Sequence, residues 1–369
     1  MKTHLTLSTA ALLLLGAGPA QELGGGPPRR GVFLDRDQAA LLSAMRLEDR
    51  GSAGAPRPTL VLSGLNLRVV NGLGATNGLP SNPLGQDPLL TATNGTGNVI
   101  LGYAEASTTL NEERGGSHNL VIGAGHAWTS FGGLVHGHEA RVEAPYAAAV
   151  GGERLHVEPT ALQGAAVGGR DGVVSGYAAA TVGGFANLAS GSRATALGGH
   201  LNVASGSDAS VTGGLRNTAS GVDASVSGGQ DNRATGSQSV VLGGRDGLAS
   251  GNDSTVLGGN TNEARGTRSV VAGGRDNLAS GLHAVVAGGQ ENTASGTESV
   301  VGGGVINVAS GNNATVHGGR GNRASGTNAV VTGGRDNHAS GTSSVVSGGL
   351  ERSATGTYDW VAGDRYEDD

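Results

Sequence analysis

Small and polar residues alternate over most of the chain, in a phrase that repeats every fifteen residues. In the copy at residues 273–287, the run from Asn277 to Gly281 and the run from Ala284 to Gly288 place a small residue or Asn at every second position. Alternation with period two is typical of a β-strand that buries one face. Each copy therefore predicts two short strands of about five residues, joined by turns at Leu282-His283 and at residues 289–291.

One glycine recurs at the same place in every copy, fifteen residues after the last. A fixed short period is the mark of a solenoid, in which each coil stacks only on its neighbours. Ordering one coil costs roughly 15–30 kcal/mol, more than the few kcal/mol that its small side chains return on burial. We therefore expect stacked parallel strands about 4.8 Å apart, in roughly eighteen coils from residue 95 to 363. The recurring glycines are Gly168, Gly183, Gly198, Gly213, Gly228, Gly243, Gly258, Gly273, Gly288, Gly303, Gly318, Gly333, Gly348 and Gly363.

Two polar features recur within the phrase. The paired glycines are followed by pairs such as Arg275-Asp276, which suit a solvated turn, and the glycines themselves supply positive φ. An asparagine recurs at the start of the first strand, as at Asn277 and Asn292. We predict that its amide stacks on the coils above and below, as in asparagine ladders.

The chain divides into five predicted segments. Residues 1–20 form a secretory signal peptide, because a basic start is followed by an apolar run from Leu5 to Leu15 and small residues up to Ala20. That run is too short to span a membrane. Residues 21–94 are an N-terminal linker, 95–167 irregular coils with an inserted loop, 168–363 the regular coils, and 364–369 an acidic tail.

The linker contains one predicted helix, from Leu34 to Arg50, which is either a stub of coiled coil or a loosely packed linker helix. Alternating apolar residues at 60–62 and 65–69 predict a strand pair, and residues 71–88 a loop. Residues 103–116 exceed the coil length and predict a loop that leaves the solenoid. At the far end, bulky residues at 358–360 predict a cap that covers the last layer of the core.

Composition excludes an ordinary globular core, because the chain has 70 glycines in 369 residues and 3% aromatic residues. The strict order of the glycines argues against disorder. A net charge of −6 gives no reason to expect a nucleic acid partner, and the chain has no cysteine for disulfides. We expect no membrane span in the mature chain.

No catalytic motif is present: the sequence lacks a Gly-x-Ser-x-Gly elbow, a phosphate-binding Gly-Lys-Ser/Thr loop and a His-Glu-x-x-His pair. We therefore expect neither an enzyme nor a cofactor. One cluster stands outside the repeat, and loop packing, ligand contact or chelation of a metal by His136 and His138 with a third ligand would each explain it. Its candidate binding residues are Tyr103, His118, His126, Trp128, His136, His138 and Glu139.

The paired half-motifs, Asn-x-Ala-x-Gly and Ser/Ala-x-Val-x-Gly, resemble the head repeats of trimeric autotransporter adhesins. The resemblance covers about 200 residues of regular repeat and the head only, since no stalk or membrane anchor is recognisable. It implies an all-β, left-handed parallel β-roll with two-strand coils, and a homotrimer.

An uncharged outer column supports self-association. If Val286 points inwards, Val285 and Ala287 point outwards, and neither outward column contains Asp, Glu, Lys or Arg in the regular coils. A sheet uncharged on both faces is typically buried on both faces, so we predict an interface between copies. The expectation of three copies rests on the resemblance, whereas the uncharged face alone would also allow a dimer. The predicted interface residues are Val240, Val270, Val285, Val300, Val330 and Val345.

Two functional hypotheses follow. The first is a secreted structural or adhesin-like protein, extracellular or held at the cell surface, whose repeated flank offers many weak contacts to matrix or to a cell-surface ligand. The alternative is an ice- or crystal-binding solenoid, suggested by Ser-Gly-Thr triplets such as residues 295–297. Interruptions of these triplets at Val222, Arg265 and Leu282 favour the first hypothesis, because a lattice-matching face should be regular.

Overall fold

The computed structural model describes residues 36–49, 58–63, 66–87, 90–107 and 113–362. They belong to two compact units, residues 1–68 and 69–369. The predicted signal peptide and the predicted acidic tail lie outside the described residues. No helix in the described ranges is long and apolar enough to cross a bilayer.

The described residues of the first unit form one helix, α1 (Arg36–Ser43), and two antiparallel strands, β1 (Met45–Asp49) and β2 (Pro58–Leu62). The prediction of a helix up to Arg50 is wrong beyond Ser43. In β1, Met45 lies opposite Leu62 and Leu47 opposite Leu60. Cross-strand apolar pairs of this kind stabilise a strand pair, which is why the chain leaves the helix here. Residues 66–70, the predicted partner of residues 60–62, form no strand.

The second unit is a parallel β-solenoid with fifteen-residue coils, which confirms the predicted fold class. Each coil contributes one strand to each of two parallel sheets, which we call the alanine sheet and the valine sheet after their inward residues. The alanine sheet has 16 strands, so the described residues form sixteen complete coils and not the eighteen expected. The two extra strands of the valine sheet, β3 and β4, come from the irregular N-terminal coils.

The strands are as follows. The valine sheet consists of β3 (Val99–Leu101), β4 (Leu120–Ala124), β6 (Leu134–His138), β8 (Ala148–Glu153), β10 (Ala165–Val167), β12 (Ala180–Val182), β14 (Thr195–Leu197), β16 (Ser210–Val211), β18 (Ser225–Val226), β20 (Val240–Val241), β22 (Thr255–Val256), β24 (Val270–Val271), β26 (Val285–Val286), β28 (Val300–Val301), β30 (Thr315–Val316), β32 (Val330–Val331), β34 (Val345–Val346) and β36 (Trp360–Val361). The alanine sheet consists of β5 (Ala127–Trp128), β7 (Arg141–Val142), β9 (His156–Val157), β11 (Val173–Val174), β13 (Leu188–Ala189), β15 (Val203–Ala204), β17 (Thr218–Ala219), β19 (Arg233–Ala234), β21 (Leu248–Ala249), β23 (Glu263–Ala264), β25 (Leu278–Ala279), β27 (Thr293–Ala294), β29 (Val308–Ala309), β31 (Arg323–Ala324), β33 (His338–Ala339) and β35 (Ser353–Ala354).

The predicted alternation sets which side chains form the core. Ala279, Ala284 and Val286 are fully buried, whereas Val285 is half-buried on the outer side. The regular strands have only two or three residues, shorter than the five expected, because the chain turns again almost at once. Gly288, expected to point inwards, lies half-buried at the corner with open space beside it.

The recurring asparagine forms the predicted ladder between coils, and its amide bonds to backbone groups of its own and the next coil. The Asn277 side-chain oxygen accepts a hydrogen bond from the backbone N–H of Asn292, at 3.0 Å. Its amide nitrogen donates to the carbonyl oxygens of Gly273 and Gly289, each at 2.9 Å. One buried side chain thus satisfies backbone groups in two successive coils, which buried groups require.

Each regular coil turns at two corner residues with positive φ, and all of these except Gly321 are residues other than glycine. In the coil at residues 273–287 they are Asp276, with φ of 56°, and His283, with φ of 57°. Such a conformation costs about 1–2 kcal/mol for an ordinary residue. Both backbone N–H groups donate to the preceding coil, Asp276 to the carbonyl of Asn260 and His283 to that of Thr267. These bonds hold both corners in register.

The irregular N-terminal coils have a wider core than the regular ones. Phe131 and Leu155 are buried there, and the ring of Phe131 meets that of Tyr146 edge-on at 5.2 Å between centroids. Residues 103–107 and 113–116 form no strand, in agreement with the predicted loop. Larger inward side chains therefore mark the coils where the repeat is not yet regular.

Candidate functional site

The candidate binding residues of the N-terminal coils do not converge on one site. Tyr103 is 95% exposed and His138 is also exposed, whereas His126, Trp128 and Glu139 are buried. His118 and His136 are half-buried. Most of the cluster therefore has a packing role, and of its members only Tyr103 and His138 are exposed.

His118 joins the segment before the solenoid to its first coils. Its Nε2 accepts a hydrogen bond from the backbone N–H of Asn71, at 3.3 Å. Its Nδ1 lies 3.1 Å from the carbonyl oxygen of Thr76, to which it donates in the tautomer that both contacts select. Since both ring nitrogens are occupied, His118 serves as a structural clamp in this arrangement.

His126 is a buried, neutral imidazole. Its Nδ1 accepts from the backbone N–H of Ala140 at 3.1 Å, and its Nε2 donates to the carbonyl oxygen of Ile122 at 3.0 Å. Burial lowers the pKa of His126 below 6.5, and the nearby His136 and His138 lower it further. A proton on Nδ1 would remove the acceptor that the Ala140 N–H requires, so the neutral form belongs to the folded state.

We predict that the folded state loses stability on acidification through His126. A base whose pKa is lower in the folded state than in the unfolded chain binds its proton more readily when unfolded. Its contribution is therefore fully present above about pH 6.5 and is lost as the pH falls through the folded-state pKa. Thermal unfolding midpoints measured from pH 7.5 to pH 5 should fall less steeply in His126→Gln than in the wild type, about 1.4 kcal/mol corresponding to each unit of pKa difference.

The matched control is His283→Gln, because His283 is a half-buried corner residue and another coil has Gln238 at the same corner with the same φ of 57°. This control should keep the wild-type pH dependence. If His126→Gln also kept it, the neutral-imidazole account of His126 would be contradicted.

Trp128 and Glu139 hold the inserted loop against the coils. The Arg114 guanidinium lies over the Trp128 ring, 5.5 Å from its centroid, and donates to the carbonyl oxygens of Ala104 and Glu105. The Ser107 hydroxyl donates to a carboxylate oxygen of Glu139 at 3.0 Å. Both residues therefore act through packing of the loop ends.

The two histidines of β6, His136 and His138, lie in different surroundings. His136 lies on the outer side, in register with Ile122 and Val150. His138 lies beyond Gly137, whose φ is +134°, and pairs with Glu153 across a shift in register. Among the described residues, no group of three His, Cys, Asp or Glu side chains is placed to hold a metal ion.

Sequence reasoning missed an ion network on the outer face of the alanine sheet. Arg141 donates to Glu113 at 2.6 Å and to Glu143 at 2.7 Å, and His156 Nε2 lies 2.7 Å from Glu143. Burial opposes ionisation of Glu143, but the hydrogen bonds from His156 and Arg141 outweigh it and lower its pKa to about 2. The sequence feature that indicates this network is the spacing of its residues. Arg141 and His156 lie one coil apart and pair in register.

A groove of about 370 Å³ adjoins this network. Its charged walls include Arg154, which donates to both carboxylate oxygens of Asp171 at 2.6 and 2.7 Å. Arg141, Arg154 and His156 thus each face a carboxylate of this chain. The groove is therefore charge-balanced within itself.

The outer face of the valine sheet, which we call the valine face, carries no charged residue in either of its columns. Strand register extends both predicted columns back to β3. The predicted interface residues lie together in the first column and are half-buried. The first column is Val99, Leu120, Leu134, Ala148, Ala165, Ala180, Thr195, Ser210, Ser225, Val240, Thr255, Val270, Val285, Val300, Thr315, Val330, Val345 and Trp360. The second is Leu101, Ile122, His136, Val150, Val167, Val182, Leu197, Thr212, Ser227, Leu242, Leu257, Ala272, Ala287, Gly302, His317, Thr332, Ser347 and Ala362.

Comparison of the chain with protein-family models and with curated proteins finds no match. The fold defines a class, the parallel β-solenoids with fifteen-residue coils. The similarity to adhesin heads accordingly stays a resemblance in the repeat motifs.

Proposed function

We propose that this protein is a secreted structural or adhesin-like head protein that acts without catalysis. In this proposal the valine face is the contact between copies in a homotrimer, and the remaining surface offers repeated, weak contacts to extracellular matrix or a cell-surface ligand. The left hand of the roll, implied by the resemblance, is part of the same proposal. The repetitive solenoid is compatible with such a binding or structural role.

The observation that carries the proposal is the contrast between the two outer faces. Neither column of the valine face contains Asp, Glu, Lys or Arg from β3 to β36. The outer face of the alanine sheet exposes Arg233, Arg265 and Arg323. A long uncharged face in water favours aggregation, and burial against further copies removes that hazard, with cyclic symmetry closing the assembly.

Multivalency explains what the repetition contributes. Corner pairs such as Arg245-Asp246 and Arg275-Asp276 recur along one edge, with arginine and acid close together in each pair. A ligand that binds one such corner weakly would meet further copies on the same rod, which raises its avidity without any new type of contact. Tyr103 and His138 are the candidate residues most accessible to a ligand.

Replacing Val270, Val285 and Val300 together by lysine should abolish assembly, because it would place three charges in the proposed interface. The three valines lie on adjacent, hydrogen-bonded strands of the valine sheet and form one continuous patch. The expected change in light scattering is a fall from the mass of a trimer to that of a monomer or to unfolded chain.

The matched variant places lysine at Ser280, Ser295 and Ser310, on the outer face of the alanine sheet. It should retain the mass and the circular dichroism of the wild type. A second readout is available because the chain has two tryptophans, with Trp128 3% and Trp360 66% exposed. Assembly should shift the emission of Trp360 to shorter wavelength in a Trp128→Phe background. A folded wild-type monomer in light scattering would refute the proposal.

A further inference from the structure

We propose that Asp359 closes the C-terminal end of the solenoid by imitating the backbone of a further coil, and so prevents head-to-tail addition of a second copy of this chain. Asp359 occupies a column that is Ala or Ser in every other regular coil, as at Ala329 and Ser344, both fully buried. A charged residue in this column therefore needs its own explanation.

The geometry of the preceding coils shows what Asp359 replaces. The backbone N–H groups of Ser340 and Gly341 both donate to the carbonyl oxygen of Ala354 in the next coil, at 2.9 and 3.2 Å. The same pair of bonds, from two successive N–H groups to one alanine carbonyl, recurs in each regular coil before it.

In the last coil one carboxylate oxygen takes the place of that carbonyl. Thr355 N–H donates to Asp359 Oδ2 at 3.0 Å, and Gly356 N–H approaches the same oxygen at 3.4 Å. Asp359 itself keeps the backbone contacts of its column, accepting from Val345 N–H at 2.8 Å and donating to the Gly356 carbonyl at 3.2 Å. An ionised acceptor also makes a stronger hydrogen bond than a neutral carbonyl.

The partner that this cap excludes follows from the hydrogen bonds between coils. The Val285 N–H donates to Ser299 in the next coil, whereas the His283 N–H donates to Thr267 in the preceding one. Each end of the stack therefore presents backbone donors and acceptors that the opposite end of a second copy can pair with. At the N-terminal end β3 pairs only with β4 among the described strands, and Ile100 is 42% exposed although its register partner Val121 is 2% exposed. The two ends are complementary, and such a heterologous contact would not close but extend into a fibre.

The bulk of the neighbouring aromatic residues does not supply the cap. Tyr358 is 80% exposed, and Trp360 turns back along the valine face to donate from Nε1 to the Ser347 hydroxyl at 2.7 Å. The prediction that bulky residues at 358–360 cover the last core layer is therefore wrong for these two side chains. Asp359, between them in sequence, instead accepts the hydrogen bonds of the backbone N–H groups at this end.

The test is residue-resolved amide hydrogen exchange together with light scattering on the full chain. In Asp359→Ala, exchange at Thr355 and Gly356 should accelerate about tenfold or more, because these two N–H groups at the end of the stack lose a charged acceptor. The same variant should form species larger than the wild-type assembly, growing with concentration. Asp359→Asn keeps a side-chain oxygen as acceptor, so its exchange rates and its mass should lie between those of the wild type and those of Asp359→Ala.

Asp336→Asn is the charge-matched control, because Asp336 is an exposed corner residue paired with Arg335. It should leave both exchange and mass unchanged. Unaltered exchange at Thr355 and Gly356 in Asp359→Ala would overturn the cap. Accelerated exchange without any growth in mass would contradict the proposal that Asp359 prevents the addition of a second copy.

Discussion

Replacing Gly281 and Gly296 together by alanine should disrupt the solenoid, whereas the same change at Gly243 and Gly258 should leave its stability almost unaltered. A Cβ on Gly281 would overlap the carbonyl oxygen of Gly296 in the next coil, and a Cβ on Gly296 would overlap that of Gly311. Each obstacle is backbone, so no side chain can move aside. Relief would require the coils to separate and to lose the hydrogen bonds between them.

Gly243 and Gly258 are a matched control because a Cβ at either position has no atom within 4 Å. Neither has φ in the left-handed region, so alanine fits without strain. Overpacking a tight interior typically costs about 1–3 kcal/mol per site, and clashes with backbone belong at or above the upper end of that range. Thermal unfolding followed by circular dichroism should show a large fall in the midpoint for the first pair only. Equal losses for both pairs would contradict close contact between the coils.

Deleting the coil from Asn277 to Glu291 should leave a folded rod that is shorter by one strand spacing, about 4.8 Å. The deletion joins Asp276 to Asn292, so Asn292 N–H can donate to the Asn262 side chain as Asn277 N–H does at 3.0 Å. Val270 would then pair with Val300 in place of Val285, with the same inward and outward faces. Because each coil contacts only its neighbours, no other contact is lost.

Deleting only Asn277 to Ala284 should unfold the rod or split it into two independently melting parts. This half-coil deletion removes β25 but keeps β26, so the alanine sheet is interrupted while the chain must still cross to the valine sheet. The register that places Val286 inwards would no longer match its neighbours. Circular dichroism and small-angle scattering distinguish the outcomes. A folded half-coil variant, or an unfolded whole-coil variant, would contradict a stack of equivalent coils.

The candidate site was less predictable from sequence than the fold. His136 and His138 attracted attention because two histidines flank one residue, yet the shift of register at β6 separates their surroundings. The contacts of His118 and His126 are with backbone groups of other segments, which leave no trace in composition or motif. Glu143, whose pKa is lowered to about 2, was overlooked although the coil period itself brings Arg141 beside His156.

The amino-acid sequence alone was sufficient for the period, the two strands of each coil and the inward columns, because these follow from alternation within a single coil. Only the tertiary structure showed which glycines are required. Gly243 belongs to the column that never varies, yet it has free space, whereas Gly281 faces the backbone of the next coil. The same holds for the Asn277 bonds to backbone and for the positive φ of Asp276. Each depends on the distance between residues of successive coils, which is set by stacking and is not encoded in any single repeat.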